Sequence, residues 1–221
     1  MVKTLKDRLD NIEKLESELV RKAQKTLPPG PMYMTDMFLM GATQRTLAQS
    51  RGFRHLIETR NFPSATILLR TQIDTAMRVN GLSLMDDREG NLKRLMENEL
   101  NFDRLTSGTP TDGGKPERLT DAYLRKQLSA KYPWIDKLYS DASNFVHLSF
   151  RHLWTAVART DEETGMVYVT ITGADPERDE STYFQVCDAF FEVSKVTSTM
   201  ILAMFMMVHH PDRVAAAAGR R

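Results

Sequence analysis

Tyr139-Ser140-Asp141-Ala142-Ser143-Asn144-Phe145-Val146-His147-Leu148-Ser149 is the stretch on which the reading of this chain turns. Tyr139, Ser143 and His147 recur every four residues, so on a helix they form one polar stripe. The stripe borders an apolar face made by Ile135, Ala142, Val146 and Phe150. A second segment carries a matching anomaly. Arg70 and Asp74 lie about 40° apart on a helical wheel, inside an arc that also holds Ile67, Ile73 and Met77. A charge left unpaired in a core costs on the order of several kcal/mol, whereas an arginine–carboxylate pair shares its hydrogen bonds. Together the two segments predict a helical core with a polar cluster inside it.

The same periodicity organises the rest of the chain. Leu5, Leu9, Ile12 and Leu19 predict an amphipathic helix over residues 3–26. Leu27-Pro28-Pro29-Gly30-Pro31 then breaks it, so residues 1–26 read as an N-terminal helical arm and 27–31 as a hinge. Residues 32–210 read as one helical bundle domain and 211–221 as a flexible tail. Within the body, helices are expected over about 33–59, 64–84, 87–105, 117–130, 133–150 and 180–209. Asn61 or Ser64 can cap the second of these, and Pro63 suits a first turn. Leu68 and Val79 lie opposite Leu69, Ile73 and Ala76, which makes that helix apolar on both sides and central. Residues 107–116 have the composition of a loop. Leu153–Ala158 and Met166–Thr172 flank Asp161-Glu162-Glu163-Thr164-Gly165 and predict one β-hairpin, expected to lie against the helices. The fold class is therefore mainly α, a bundle of about five to seven helices with a hairpin before the last long helix.

Composition narrows the function classes. The 221 residues are 41% hydrophobic and 27% charged, and 30 basic against 29 acidic residues give a net charge of +1. No global field draws such a chain onto a polyanion or an anionic membrane. One cysteine, Cys187, excludes a disulfide framework and points to a cytoplasmic setting. The longest unbroken apolar run, Met200–Val208, is nine residues, short of the roughly 20 that span a bilayer. No membrane partner and no cofactor are expected. Metal ligation is not expected either, because His147 and His152 are off one helical face and paired Glu-x-x-His elements are absent. Neither phosphate-loop pattern occurs.

Two residues carry the chemical expectation. His147 can exchange a proton near neutral pH, and Arg70 can stabilise developing negative charge. Ser143, Asp74, Tyr139 and Arg151 complete a candidate ligand-binding set around them. A Ser–His–acid nucleophile would lack the glycine-flanked turn that usually presents the serine.

Leu68-Leu69-Arg70-Thr71-Gln72-Ile73-Asp74 resembles an LLR-x-x-(I/F)-(E/D) helix, and Tyr139 to Ser149 resembles a Y-x-x-x-S-x-x-V-H-x-S helix. Both are similar to segments of helical bacterial proteins near the HEPN superfamily, some of them linked to abortive infection or toxin–antitoxin modules. The likeness spans about residues 35–205. It implies a helical bundle, a homodimer, and an RNA or nucleotide ligand. In active members of that superfamily an Arg-x(4–6)-His motif at the dimer interface cleaves RNA without metal. Here the motif is incomplete: Ser140, Asp141 and Ala142 occupy the places where its arginine would stand. Arg151 or Arg70 would have to supply the cation. Three readings stay open: a HEPN-like protein of a defence or stress module, a non-enzymatic regulator or scaffold dimerising through its N-terminal arm, and a small-molecule sensor.

Overall fold

The computed structural model describes residues 4–108 and 114–219. Nine α-helices and one antiparallel hairpin lie among them. The chain runs α1 (Leu5–Thr26), α2 (Met34–Glu58), α3 (Phe62–Leu82), α4 (Arg88–Met96), α5 (Asp121–Lys131), α6 (Trp134–Val146) and α7 (Phe150–Ala156). β1 (Val157–Thr160) and β2 (Val167–Val169) follow, then α8 (Phe184–His209) and α9 (Pro211–Ala218). The fold is mainly α, with the hairpin before the last long helix.

Local chemistry sets most boundaries. Thr4 and Asp7 form a capping box on α1. Asn61 accepts from the Ser64 N–H and Pro63 sits in the first turn of α3. Helix α3 is central: Leu69, Ile73, Ala76, Met77 and Val79 are all buried. So are its polar residues Gln72 and Thr75. They bond α2 across the seam, Gln72 Nε2 donating to Thr46 Oγ1 at 3.3 Å.

Helix α8 packs against α1, α2 and α3. Phe53 of α2 stacks on Phe190 of α8 with ring centroids 4.0 Å apart. The segment Glu180–His209 is long and apolar enough to cross a membrane by length and composition. The unbroken nine-residue run hid this, because mean hydropathy tolerates the buried Ser194, Thr197 and Ser198. In this fold those residues, with Val193, Ile201 and Phe205, face the protein interior.

Several sequence expectations change, and the helix expected over 87–105 is α-helical only from Arg88 to Met96. Helix α1 is a layer of the bundle rather than a projecting arm: Leu9, Ile12, Leu19 and Ala23 are buried, Arg8 covers the Phe184 ring, and Arg54 of α2 bonds Glu16 at 3.2 Å. Part of the supposed tail is helical. Proline opens α9, a run of good helix formers extends it, and His210 Nε2 bonds the Thr26 carbonyl at 2.9 Å. Finally, Leu153 to Ala156 belong to α7, and the first strand starts only at Val157. The loop expected over 107–116 includes residues 109–113, which lie outside the described residues. Its flanks are tied by the Ser107 N–H to Glu117 O bond at 2.8 Å.

The hairpin does not lie against the helices. Val167, Tyr168 and Val169 are 53%, 40% and 45% exposed. Only its stem is held. One Arg178 amino group reaches the carbonyls of Trp154, Thr155 and Val157 at 3.2, 3.0 and 3.3 Å. At the tip Gly165 takes a positive φ of 68°, a backbone state that glycine adopts without penalty.

Candidate functional site

Three of the marked residues meet Arg70. Its guanidinium pairs with the Asp74 carboxylate one turn on, its Nε donates to Ser143 Oγ at 3.0 Å, and it lies 3.5 Å from the centroid of the Tyr139 ring. Helices α3 and α6 thus share the polar cluster expected from their stripes. Arg70 is mostly withdrawn from water, its side chain 12% exposed, while Asp74 is 31% exposed.

The bonds leave little chemistry in this cluster. Ser143 donates its hydroxyl proton to the Tyr139 carbonyl at 2.7 Å and accepts from Arg70. Among the described residues no base takes that proton, so none of them activates Ser143 as a nucleophile. The Arg70 contacts to Ser143 and Tyr139 tie α3 to α6.

His147 and Arg151 fall outside it. Helix α6 ends at Val146, and His147 is its C-cap, with extended backbone at φ −103° and ψ 146°. The polar stripe therefore stops at Ser143. Ser149 explains the break: it bonds the Asn144 carbonyl at 2.7 Å and caps α7 by accepting from Arg151 N. Its own N–H is received by His152 Nδ1 at 3.3 Å. The side chains of His147 and Arg151 are exposed and make no hydrogen bond or ion pair with the described residues. The expected apolar face also shifts. Ile135, Ala142 and Phe145 are buried, whereas Val146 and Phe150 are 45% and 82% exposed.

Several participants escaped the sequence reading. Arg125 of α5 lies 4.5 Å from the Tyr139 ring centroid and bonds Asp136 at 2.7 Å and Ser140 at 2.8 Å. Arg78 continues the Arg70–Asp74 stripe by one more turn and bonds Asp121 at 2.8 Å. The four-residue step from Asp74 to Arg78, and from Asp121 to Arg125, was the available signal. A cleft of about 450 Å³ opens where Arg78 and Asp74 of α3 face Arg45 of α2. A wider groove of about 1150 Å³ runs between α1 and α2. Among the described residues no group of three metal-ligating side chains comes together.

The α6–α7 junction and the hairpin present the largest apolar display. Leu148 and Ile171 are each 94% exposed, Phe150 82% and Trp154 65%. Cys187, by contrast, is buried, and burial pushes its thiol up to about 12. It is a core residue, not a nucleophile. No family model matches this chain, and neither does any curated protein or solved structure.

Proposed function

We propose that the protein is a non-enzymatic helical scaffold or regulator that works as a homodimer, assembled through the α6–α7 junction and the hairpin. The observation that carries this is the exposed apolar surface. Ten large hydrophobic residues between Val146 and Ile171 are each at least 40% exposed. Tyr168 projects from the opposite side of the strand to Val167 and Val169, so the apolar surface is spread over both faces of the hairpin and the α6–α7 junction. The N-terminal helix is a poor alternative surface, because its apolar side is spent on α8 within the same chain.

A second copy suits this face for two reasons. The β1 edge is interrupted by an irregularity between Val157 and Arg159, whereas β2 is regular. The bonds Asp161 N–H to Met166 O and Thr170 N–H to Ala156 O turn Met166 and Thr170 toward β1. By alternation, the N–H groups of Val167 and Val169 point away, free to pair. Antiparallel pairing of two β2 strands is isologous and sets each acidic tip beside the other copy's stem. The tip carries Asp161, Glu162 and Glu163, and the stem carries Arg178. Hydrogen bonds from Thr164 and Glu163 hold the Asp161 carboxyl below its ordinary range, which keeps the tip charged.

Sedimentation of the wild type against Phe150→Ser and Val169→Pro tests the proposal. A concentration-dependent dimer in the wild type, lost in both variants with helicity unchanged, is the expected result. A wild type that stays monomeric at high micromolar concentration defeats it.

A second reading keeps the HEPN resemblance. Among the described residues His147 and Arg151 have no side-chain partner and stand beside the same apolar residues, so a dimer would gather two imidazoles and two guanidiniums. In that reading His147 is the general acid–base, a cation stabilises the phosphorane, and RNA is the substrate. Cleavage of RNA in the presence of a chelator, abolished by His147→Ala, is what it requires.

A further inference from the structure

We infer that the cleft between α2 and α3 binds a small organic anion, a carboxylate with an apolar body. Its volume, about 450 Å³, lies in the range of small-molecule sites. Phe38, Ala42 and Val79 give it an apolar lining, and Arg45 and Arg78 give it two guanidiniums.

The charge balance selects the sign of the ligand. Two carboxylates also line the cleft, but each is already matched: Asp74 pairs with Arg70 and Asp121 with Arg78. Arg45, exposed on α2, has no such match among the described residues. Its Nε donates to Thr75 Oγ1 at 3.0 Å, and the Gln49 amide, turned to satisfy its neighbours, accepts from Arg45 Nε at 3.2 Å and Nη2 at 3.3 Å. Those partners are neutral. The two contacts fix the stem and one edge of the guanidinium and leave Nη1 uncommitted. Arg45 is therefore a fixed, uncompensated cation at the mouth of an apolar recess, which is what a carboxylate with a ring or short aliphatic body requires.

Gly41 supplies a clean way to close the recess. It lines the cleft, and a Cβ built on it meets nothing within 4 Å. Leucine there extends into the cleft from an exposed position of α2, and the helix gains a better former.

Titration with benzoate, read by calorimetry and by the NMR signals of the arginine Nε–H groups, tests the site. Saturable binding that moves the Arg45 Nε–H is expected. Arg45→Gln should weaken it about tenfold, the loss of one charge-assisted contact. Gly41→Leu should abolish it with the melting temperature at or above that of the wild type. Neutral benzamide should bind at least about tenfold more weakly than benzoate. A response that never saturates, equal binding of benzoate and benzamide, or full binding in a folded Gly41→Leu protein overturns the assignment. None of these readouts depends on dimer formation.

Discussion

Replacing Arg70 by methionine asks whether the buried cluster holds the fold together or serves something else. The geometry sets the size of the effect. The bond from the charged Nε to Ser143 Oγ, at 3.0 Å, is worth about 2 kcal/mol. Stacking on the Tyr139 ring adds about 1 kcal/mol. The ion pair to Asp74 adds only about 0.5 kcal/mol, because a carboxylate that is 31% exposed is largely screened. Methionine recovers about 1 kcal/mol by filling the same space with an apolar stem. The net loss is about 2–3 kcal/mol, and at about 2–4 °C per kcal/mol for a chain of this size the melting temperature should fall by about 5–10 °C. Urea unfolding followed by far-ultraviolet circular dichroism measures it directly. Ser143→Ala alone should cost about 2 kcal/mol, and the double variant should cost little more than Arg70→Met, because both changes remove the same bond. An Arg70→Met protein as stable as the wild type would refute the idea that the cluster is a structural clamp. Simple additivity in the double variant would refute the claimed bond.

Other expectations follow from the packing. Deleting residues 1–26 should abolish cooperative unfolding rather than merely split a dimer, since Ile12 and Leu19 are buried; a truncated body that melts in one sharp transition would contradict this. Cys187 should resist an aromatic disulfide reagent at pH 8 and react fully in guanidinium, because only about one thiol in 10,000 is ionised at a pKa near 12. Its pKa rises from 9.0 to about 12 on folding, so its contribution to stability is complete below pH 9 and disappears as pH climbs toward 12. Cys187→Ala should accordingly flatten the alkaline limb of a stability–pH profile. Asp36 is 1% exposed and joins the Tyr33 N–H at 3.0 Å to His209 Nε2 at 2.8 Å. Asp36→Asn should cost about 3 kcal/mol in urea unfolding, and less than half of that when His209 is already Gln.

Periodicity made the helices readable, because a 3.6-residue repeat survives in a single sequence. The meeting of α3 and α6 was readable for the same reason. Arg70–Asp74 and Tyr139–Ser143 were polar steps within apolar arcs, and such steps need each other in a core. What one helix does at its end was harder. The stop at Val146 depends on Ser149 capping a new helix with His152 at the fourth place of the box, where glutamate or glutamine is the usual sign. Without that cue a continuous helix puts His147 in register with Ser143, on the face of the cluster. Choosing between packed and projecting was harder still. Leu9, Ile12 and Leu19 repeat identically whether they meet α8 or a second chain. The alternation of Val167, Tyr168 and Val169 predicts a strand without saying what covers it. Arg45 lay beyond reach, because its lack of a counter-charge depends on which residues surround it in space.

The hairpin hangs by its stem. Arg178 grips three carbonyls there, while Asp175 Oδ2 receives the Phe62 N–H at 2.9 Å and the Tyr183 hydroxyl at 2.8 Å. None of residues 157–171 is buried, so the hairpin beyond this double latch adds nothing to the core. Local opening of the strands would therefore leave the helical core in place, and a protease would meet the exposed Val167, Tyr168 and Val169 before any buried helix.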